Sequence, residues 1–518
     1  MKELGKTLNI FLSSLPVTKF GDSEDRRDAV EGHEQTRRPH RSESTSSERS
    51  AAPKPRVLVV VQCFPPEMSA GTELSALWLA EELSNRYEIY VFAGTHNASL
   101  QDYSTVTEDF RGLRVRRVKI PAANPVHPSD LFLNSRIENA FESYVEEVKP
   151  NLVHIHHLVD LSMGIMELVA TSQVHMLLQI RDFYYLCPKI FLLDSFDELC
   201  EGPLDVSECA KCLQAILTPR ISKQFQSTYT QHAFVQAIID RTEYARRLLL
   251  LPDIIICPSR FMRKKLVRFG VPASKIEVHP DGIRELPDVA PKESTSKVTF
   301  GFLGGLHTHK GVYVLLEAFS KLDHSKAELL LFGRGDQALL ESFKAQYGSP
   351  NIKFLGEYSH EDLPNILSML DVLVHPSICH ESYSLVIHEA LASRIPVLVS
   401  NIPAQRDDVK DGVNGFRFKV GDPEDLKRKM EMFLENPKLS LELRKKRTKV
   451  RTIRQQSKEI EAIYERLQRS PSRLRAGNLA ELRRIRRRLE AERRLADELN
   501  NTRMALAQLE STIQSLKA

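Results

Sequence analysis

Short apolar runs punctuate this chain from residue 57 onward, and several are followed by stretches whose apolar positions recur with helical spacing. Val57–Val61, Ile254–Ile256, Val298–Leu303, Leu329–Phe332, Val372–Val374 and Ile395–Val399 are apolar throughout or nearly so. That is the pattern of parallel strands covered on both faces. Helical spacing follows the first run at Leu74, Leu77, Trp78, Ala80 and Leu83, and Tyr87–Phe92 then completes a βαβ unit. Further strands are predicted at 151–157, 177–180, 275–279 and 352–358, and helices over 221–250 and 312–322. The alternation predicts an α/β fold in two series, over 56–284 and 298–440, joined by a linker at 285–297 that carries Pro287, Pro291 and Ser/Thr. Residues 441–470 are expected to be helices returning to the core. Residues 187–212 read as a cysteine-rich insertion in the first series.

The two ends differ from this body. Residues 21–55 hold Ser, Arg, Glu and Asp with almost no large apolar side chain, so 1–55 reads as a disordered arm. Residues 471–518 are arginine-rich, with Leu495, Leu499, Thr502, Leu506, Leu509, Ile513 and Leu516 on a heptad seam. Leu482, Ile485 and Leu489 lie out of phase with it. This predicts a coiled coil and a homo-oligomer; the alternative is a lone charged helix packed on the body. Its arginines would suit contact with anionic lipid headgroups.

Composition bounds the class. A chain of 518 residues, 42% hydrophobic and 27% charged, is ordinary for a globular protein with two or three domains. Seven unevenly spaced cysteines point to a reducing compartment. No apolar run is long enough to span a bilayer, and residues 1–20 lack a signal-peptide pattern. A cytoplasmic protein is expected, with peripheral contact at the inner face of the plasma membrane as the further option. No nucleic-acid motif is present, and no nucleic-acid partner is expected.

The densest chemistry lies at His375–Leu391, where a strand, a polar turn and a helix start follow one another. The amides of Ser384, Leu385 and Val386, after Tyr383, would be free to meet an anion such as a phosphate. Glu381 and Glu389 would repel that anion, so they fit hydroxyls beside it. Hydroxyls next to a diphosphate suggest a nucleotide sugar. Gly71, in the first strand-to-helix loop, permits close backbone approach to a phosphate. Lys310, just before a helix in the loop 304–311, completes a phosphate clamp with that helix start. Gly333 and Arg334 form another glycine turn. His154, His156 and His157 could ligate a metal, but crevice-lining or hydrogen-bonded histidines are the simpler reading. Cys187, Cys200, Cys209 and Cys212 lie within 26 residues and end in a C-x2-C pair; a structural zinc site is one reading and four reduced thiols the other.

E-S-Y-S-L-V-I-H-E-A-L, residues 381–391, closely resembles the E-x7-E signature of retaining glycosyltransferases of family 4, which have the GT-B fold. The segments at 56–73, 177–188, 254–261, 275–283, 298–311, 329–336, 352–358 and 412–416 resemble that family's strands and turns in order. The resemblance implies two Rossmann-like domains facing a central cleft and a nucleotide-sugar donor, UDP- or GDP-linked. It also implies transfer to a glycan or lipid-linked acceptor without a catalytic divalent ion, as in polysaccharide biosynthesis. Glu381 would orient the donor sugar and Glu389 the ribose, while the diphosphate would rest on Lys310 and the amides after Tyr383. Two positions depart from the pattern. Arg181, before Asp182, stands where the family has a histidine beside the donor sugar. A guanidinium cannot serve as a base near neutral pH, but it can bind a hydroxyl or a phosphate. Gly305 stands where the family has an arginine, and Arg334 is a candidate to replace it. These departures keep a non-catalytic scaffold open as an alternative, alongside another GT-B reaction such as nucleotide-sugar epimerisation.

Overall fold

In a computed structural model, residues 53–68, 70–121, 127–202, 206–217, 231–287, 289, 297–470 and 476–517 are described. The arm expected at 1–55 therefore lies almost wholly outside the described residues.

Continuous runs of branched apolar residues make the strands of two separate sheets. The first holds β1 (Arg56–Val61), β2 (Glu88–Thr95), β3 (Thr105–Phe110), β4 (Leu113–Lys119), β5 (Leu152–Ile155), β6 (His175–Gln179), β7 (Ile254–Cys257) and β8 (Ile276–Val278), in the order β3-β4-β2-β1-β5-β6-β7-β8. All neighbours are parallel except β3 and β4. Helices α1 (Gly71–Leu83), α2 (Ser135–Val148), α3 (Ile165–Thr171), α4 (Val206–Leu217) and α5 (Gln231–Leu248) belong to this part of the chain. Glycosyltransferase-like resemblance did not reveal the β3–β4 hairpin. Its turn is Arg111–Gly112, both at positive φ (53° and 77°), which suits the twist of a two-residue hairpin. Every residue of β3 is exposed or half-buried, so no apolar run marks it.

The second sheet holds β9 (Val298–Leu303), β10 (Ala327–Phe332), β11 (Ile352–Gly356), β12 (Val372–His375), β13 (Val397–Ser400) and β14 (Gly415–Phe418), ordered β11-β10-β9-β12-β13-β14 and wholly parallel. Helix α6 (Val312–Ser320) follows β9, and α7 (Leu385–Ala392) follows the turn after β12. In both sheets the C-terminal strand ends and their loops are where a ligand crevice forms in such folds.

The chain crosses between the two sheets twice, at one place. Ile283 and Thr452 form a parallel bridge, with Ile453 N donating to Ile283 O at 2.7 Å and Ile283 N to Arg451 O at 3.0 Å. A Cβ on Gly282 would lie 2.4 Å from Thr452 O, so glycine allows the two crossings to touch. After the second crossing, α8 (Ile453–Gln468) packs on the first sheet through Ile453, Ile460, Ile463, Tyr464 and Leu467. The Tyr464 hydroxyl meets His154 Nδ1 at 2.8 Å beneath that sheet.

One continuous helix, α9 (Ala476–Lys517), ends the described chain. Leu479, Leu482, Ile485 and Leu489 are part of the first domain's core. Arg486 reaches Glu138 and Glu167, Arg488 reaches Asp240, and Arg493 reaches Asp130. The phase shift of Leu482, Ile485 and Leu489 thus has a physical reason: they face the body. Beyond Ala496 the stripe Leu499, Leu506, Leu509 and Ile513 is exposed.

Candidate active site

Backbone geometry brings the Lys310 and Glu381 loops together. Gly311 has φ +69°, and a Cβ there would lie 1.9 Å from Pro376 O, so only glycine lets the two loops close on each other. Ile378 N donates to His309 O at 3.0 Å across the same contact. Lys310 Nζ then donates to Glu381 Oε1 at 2.8 Å, and Ser377 Oγ donates to the same oxygen at 2.9 Å. Burial opposes charge on Glu381, but the Lys310 ammonium and the hydrogen bonds from Lys310 and Ser377 outweigh it and hold the carboxyl below the ordinary carboxylate range. Burial keeps His375 neutral, with its pKa lowered to about 4. The result is a charged, half-buried pair beside a neutral imidazole.

Helix α7 opens at Ser384, whose Oγ accepts from Ile387 N. Its first amides precede any carbonyl one turn back, so they point out of the helix end. One turn in, buried Glu389 turns an oxygen toward His360 Nε2 at 3.2 Å.

The α7 loop also meets the first domain. Ser382 Oγ donates to Arg181 O, and Tyr383 Oη donates to Asp281 O at 2.8 Å. Leu385 packs on the first domain's core, opposite Gly71, where an added Cβ would have ordinary contact with the leucine at 3.6 Å. Trp78 of α1 lies edge-on to His360 at 4.6 Å. The two domains are thus drawn together round the Glu381–Glu389 segment.

On the first-domain side the geometry revises one expectation. Arg181, expected from the sequence to bind a hydroxyl or a phosphate beside the donor sugar, is buried with its guanidinium turned into its own domain. Nη1 donates to Asp281 Oδ1 at 2.6 Å and to Ser75 Oγ at 2.9 Å, while Nη2 lies 2.7 Å from His156 Nδ1. It braces β6, α1 and the crossing segment. Asp182 takes the exposed side, accepting from Tyr184 N at 2.8 Å and facing His157 Nε2 at 2.7 Å. Burial opposes charge on His157, but Asp182 and then Glu73 outweigh it and raise its pKa. Glu73 itself is fully buried, held at 2.6 Å by Gln62, with Oε2 unpartnered and its carboxyl pushed up by burial. Glu73 and His157 were not singled out as catalytic candidates in the sequence. Glu73 stands two residues after Gly71, a signal that could have marked it.

The remaining predicted residues fall in different places. A Cβ on Gly305 would lie 2.6 Å from the His307 ring, which covers the space an arginine side chain would leave by. Gly333 has φ +142°, and a Cβ there would lie 1.8 Å from Gly304 O, so the two glycine turns press together. Arg334 is largely exposed and 3.5 Å from Glu357; the structure does not bring it to Lys310. Among the described residues, no three His, Cys, Asp or Glu side chains form a ready-made metal cage. All four insertion cysteines are free thiols. Burial, and after it Cys187, Cys200 and Cys212, push Cys209 up to about 12. No helix among the described residues is long and apolar enough to cross a membrane.

Comparison with known proteins fits this geometry. A glycosyl transferase 4-like domain model matches residues 70–282, and a glycosyl transferases group 1 model matches residues 285–450. The chain belongs to the group 1 glycosyl transferases. Phosphatidyl-myo-inositol mannosyltransferase of Mycobacterium leprae is 31% identical over 150 residues, 28% of this chain and 39% of the relative. An uncharacterized glycosyltransferase of Methanocaldococcus jannaschii is 32% identical over 128 residues, 24% of this chain and 33% of the relative. The matches thus span a third to two fifths of these relatives. Among solved structures, Anabaena HepE in complex with UDP and glucose superposes with a TM-score of 0.54 at 14% identity, covering 79% of this chain and 99% of that one. Sucrose-phosphate synthase from Thermosynechococcus elongatus gives 0.52 at 16%, covering 85% and 100%. The architecture of this family member is GT-B, with a helical C-terminal segment added.

Proposed function

We propose that this chain is a retaining glycosyltransferase that moves a sugar from a nucleotide-sugar donor to a hydroxyl of a glycan or lipid-linked acceptor. The observation that carries the reading is the Lys310–Glu381 pair beside the open end of α7, with Glu389 buried one turn away. A diphosphate would sit on Lys310 and the first α7 amides, where its charge is met as the glycosidic bond breaks. Glu381 would hold donor-sugar hydroxyls and Glu389 the ribose. Asp182 and His157 face the acceptor side. HepE was crystallised with UDP and glucose, which makes a uridine donor the first to try. The mannosyltransferase relative is named for an inositol lipid, which favours a lipid-linked acceptor.

The test is calorimetric titration with a panel of nucleoside diphosphate sugars. One donor should bind, and Glu389→Ala should weaken it by about tenfold to a hundredfold, the worth of hydrogen bonds to a charged group. A well-folded chain that binds none of the panel would instead support a scaffold. That second reading draws on Gly305, covered by His307, and on the inward turn of Arg181.

The scaffold and the enzyme readings share an assembly. The exposed stripe of α9 continues as a 4-3 repeat, and Glu498 and Arg503 stand where they would pair across a parallel two-stranded coil. A chain ending at Arg494 should therefore hold fewer chains per particle than the full chain, with mass read by light scattering. Equal numbers of chains per particle for both would rule out assembly through α9.

A further inference from the structure

The cysteine-rich insertion joins both domains. Cys187 and Cys200 pack against the first domain's core, whereas Leu193, between them, belongs to the core of the second. Phe191 stacks on His309 with ring centres 4.0 Å apart, next to Lys310. Lys265 donates to Glu201 O at 2.7 Å and ties the end of the loop to the first domain. The backbone of Cys200 meets His380, next to Glu381. A single loop thus touches the immediate neighbours of both Lys310 and Glu381.

Three of the four cysteines contact a short piece of this loop. Leu192 N donates to the Cys187 sulfur, and Leu192 O accepts from Cys200 N at 2.8 Å. The Cys212 thiol lies 3.9 Å from Leu193 O. Cys209 is one helical turn before Cys212 on α4, on the same face. The two loop cysteines share a further feature: each sulfur accepts an amide from the residue two positions on. Lys189 N donates to Cys187, and Gly202 N donates to Cys200 at 3.4 Å. Gly202 has φ +105°, which a side chain rarely adopts. Such N–H···S bonds stabilise sulfur as thiolate, as outer-shell donors do at metal sites. Four thiolates at this spacing repel one another, and a divalent cation reverses that repulsion. No disulfide joins them, and no three of them stand as a ready-made cage, so a bound ion would draw the sulfurs together.

We infer that Cys187, Cys200, Cys209 and Cys212 bind one zinc ion, which closes the insertion into a staple holding the loop that bridges the two domains. Binding replaces four thiol protons by one metal, releasing the protons to solvent, and requires no redox step. The site uses none of the proposed glycosyl-transfer residues as ligands and does not depend on the donor reading.

The full chain, purified without chelator, should carry one zinc per chain by elemental analysis. Cys209→Ser/Cys212→Ser should lose it, whereas Cys63→Ala, in a buried thiol of the first sheet, should keep it. Because the double variant could misfold, the unaltered chain loaded with cobalt(II) supplies a second reading. It should show thiolate-to-cobalt charge-transfer bands and the d–d bands of a tetrahedral site. In the zinc-stripped chain, amides of residues 187–202 should exchange faster while the β-strands stay protected. A folded chain that holds no zinc, takes none up when it is added and gives no tetrahedral cobalt spectrum would overturn the assignment. So would zinc retained in full by Cys209→Ser/Cys212→Ser.

Discussion

Replacing Glu381 by alanine should lower kcat/KM about a thousandfold on the donor identified by titration, the scale of losing one preorganised charge-stabilising group, while leaving the fold almost as stable. The asymmetry follows from the pair. Without Glu381, the Lys310 ammonium keeps 29% of its side chain exposed and can hydrate. Lys310→Met is the sharper case for stability, because it strands a carboxylate that is only 11% exposed. Solvent at the lysine end reduces the full buried-pair penalty to about 1–2 kcal/mol. Glu381 has a lowered carboxyl pKa in the folded state. Its contribution to stability is therefore present above the ordinary carboxylate pKa and is lost as pH falls through the lower folded value. Lys310→Met should remove that part of the acid-side curve. Steady-state kinetics and urea melts at two pH values check both variants. A Glu381→Ala enzyme within tenfold of the parent would refute the assigned role.

Arg181→Ala should be the most destabilising single change in the cleft, by about 3–5 kcal/mol, because it leaves a buried carboxylate without its cation. The side chains of Arg181 and Asp281 are 3% and 8% exposed. Asp281 also accepts from Gln179 at 2.9 Å and from Gln456 at 3.1 Å, so its charge is fixed in place by three side chains. For a domain of this size the loss corresponds to a fall in Tm of about 10 °C, at roughly 2–4 °C per kcal/mol. Arg181→Ala/Asp281→Ala should recover much of it, since the stranded charge is gone. Circular dichroism melts on the single and double variants decide the matter. A double variant as unstable as the sum of the singles would show that the two side chains act separately.

The strands of both sheets could be read from the sequence because burial on both faces leaves continuous apolar runs, as at Val57–Val61 and Val298–Leu303. The start of α7 was legible as well, since Ser384 is a capping residue before an apolar segment. The β3–β4 hairpin was not, because its outer strand is polar. Nor was the orientation of Arg181. Its partner Asp281 lies 100 residues away and is positioned by the crossing beside Thr452. Sequence spacing identifies a guanidinium near a cleft, but a remote carboxylate decides which way it points. The docking of α9 shows the same limit. The sequence marks Arg486 only as one of the tail arginines suited to anionic headgroups, whereas Glu138 and Glu167, from two other helices, lie beneath it.

The side-by-side bridge of Ile283 and Thr452 makes the half of the molecule that carries the second sheet, the donor side in the function proposed above, a cassette. Its entry and exit share one doorway, so the first sheet, α8 and α9 form a chassis whose continuity needs only a short splice across that point. A donor half from another family member could be exchanged there by matching two adjacent junctions. If the proposed function holds, the specificity for a nucleotide sugar would travel with the cassette, and acceptor recognition would stay with the chassis.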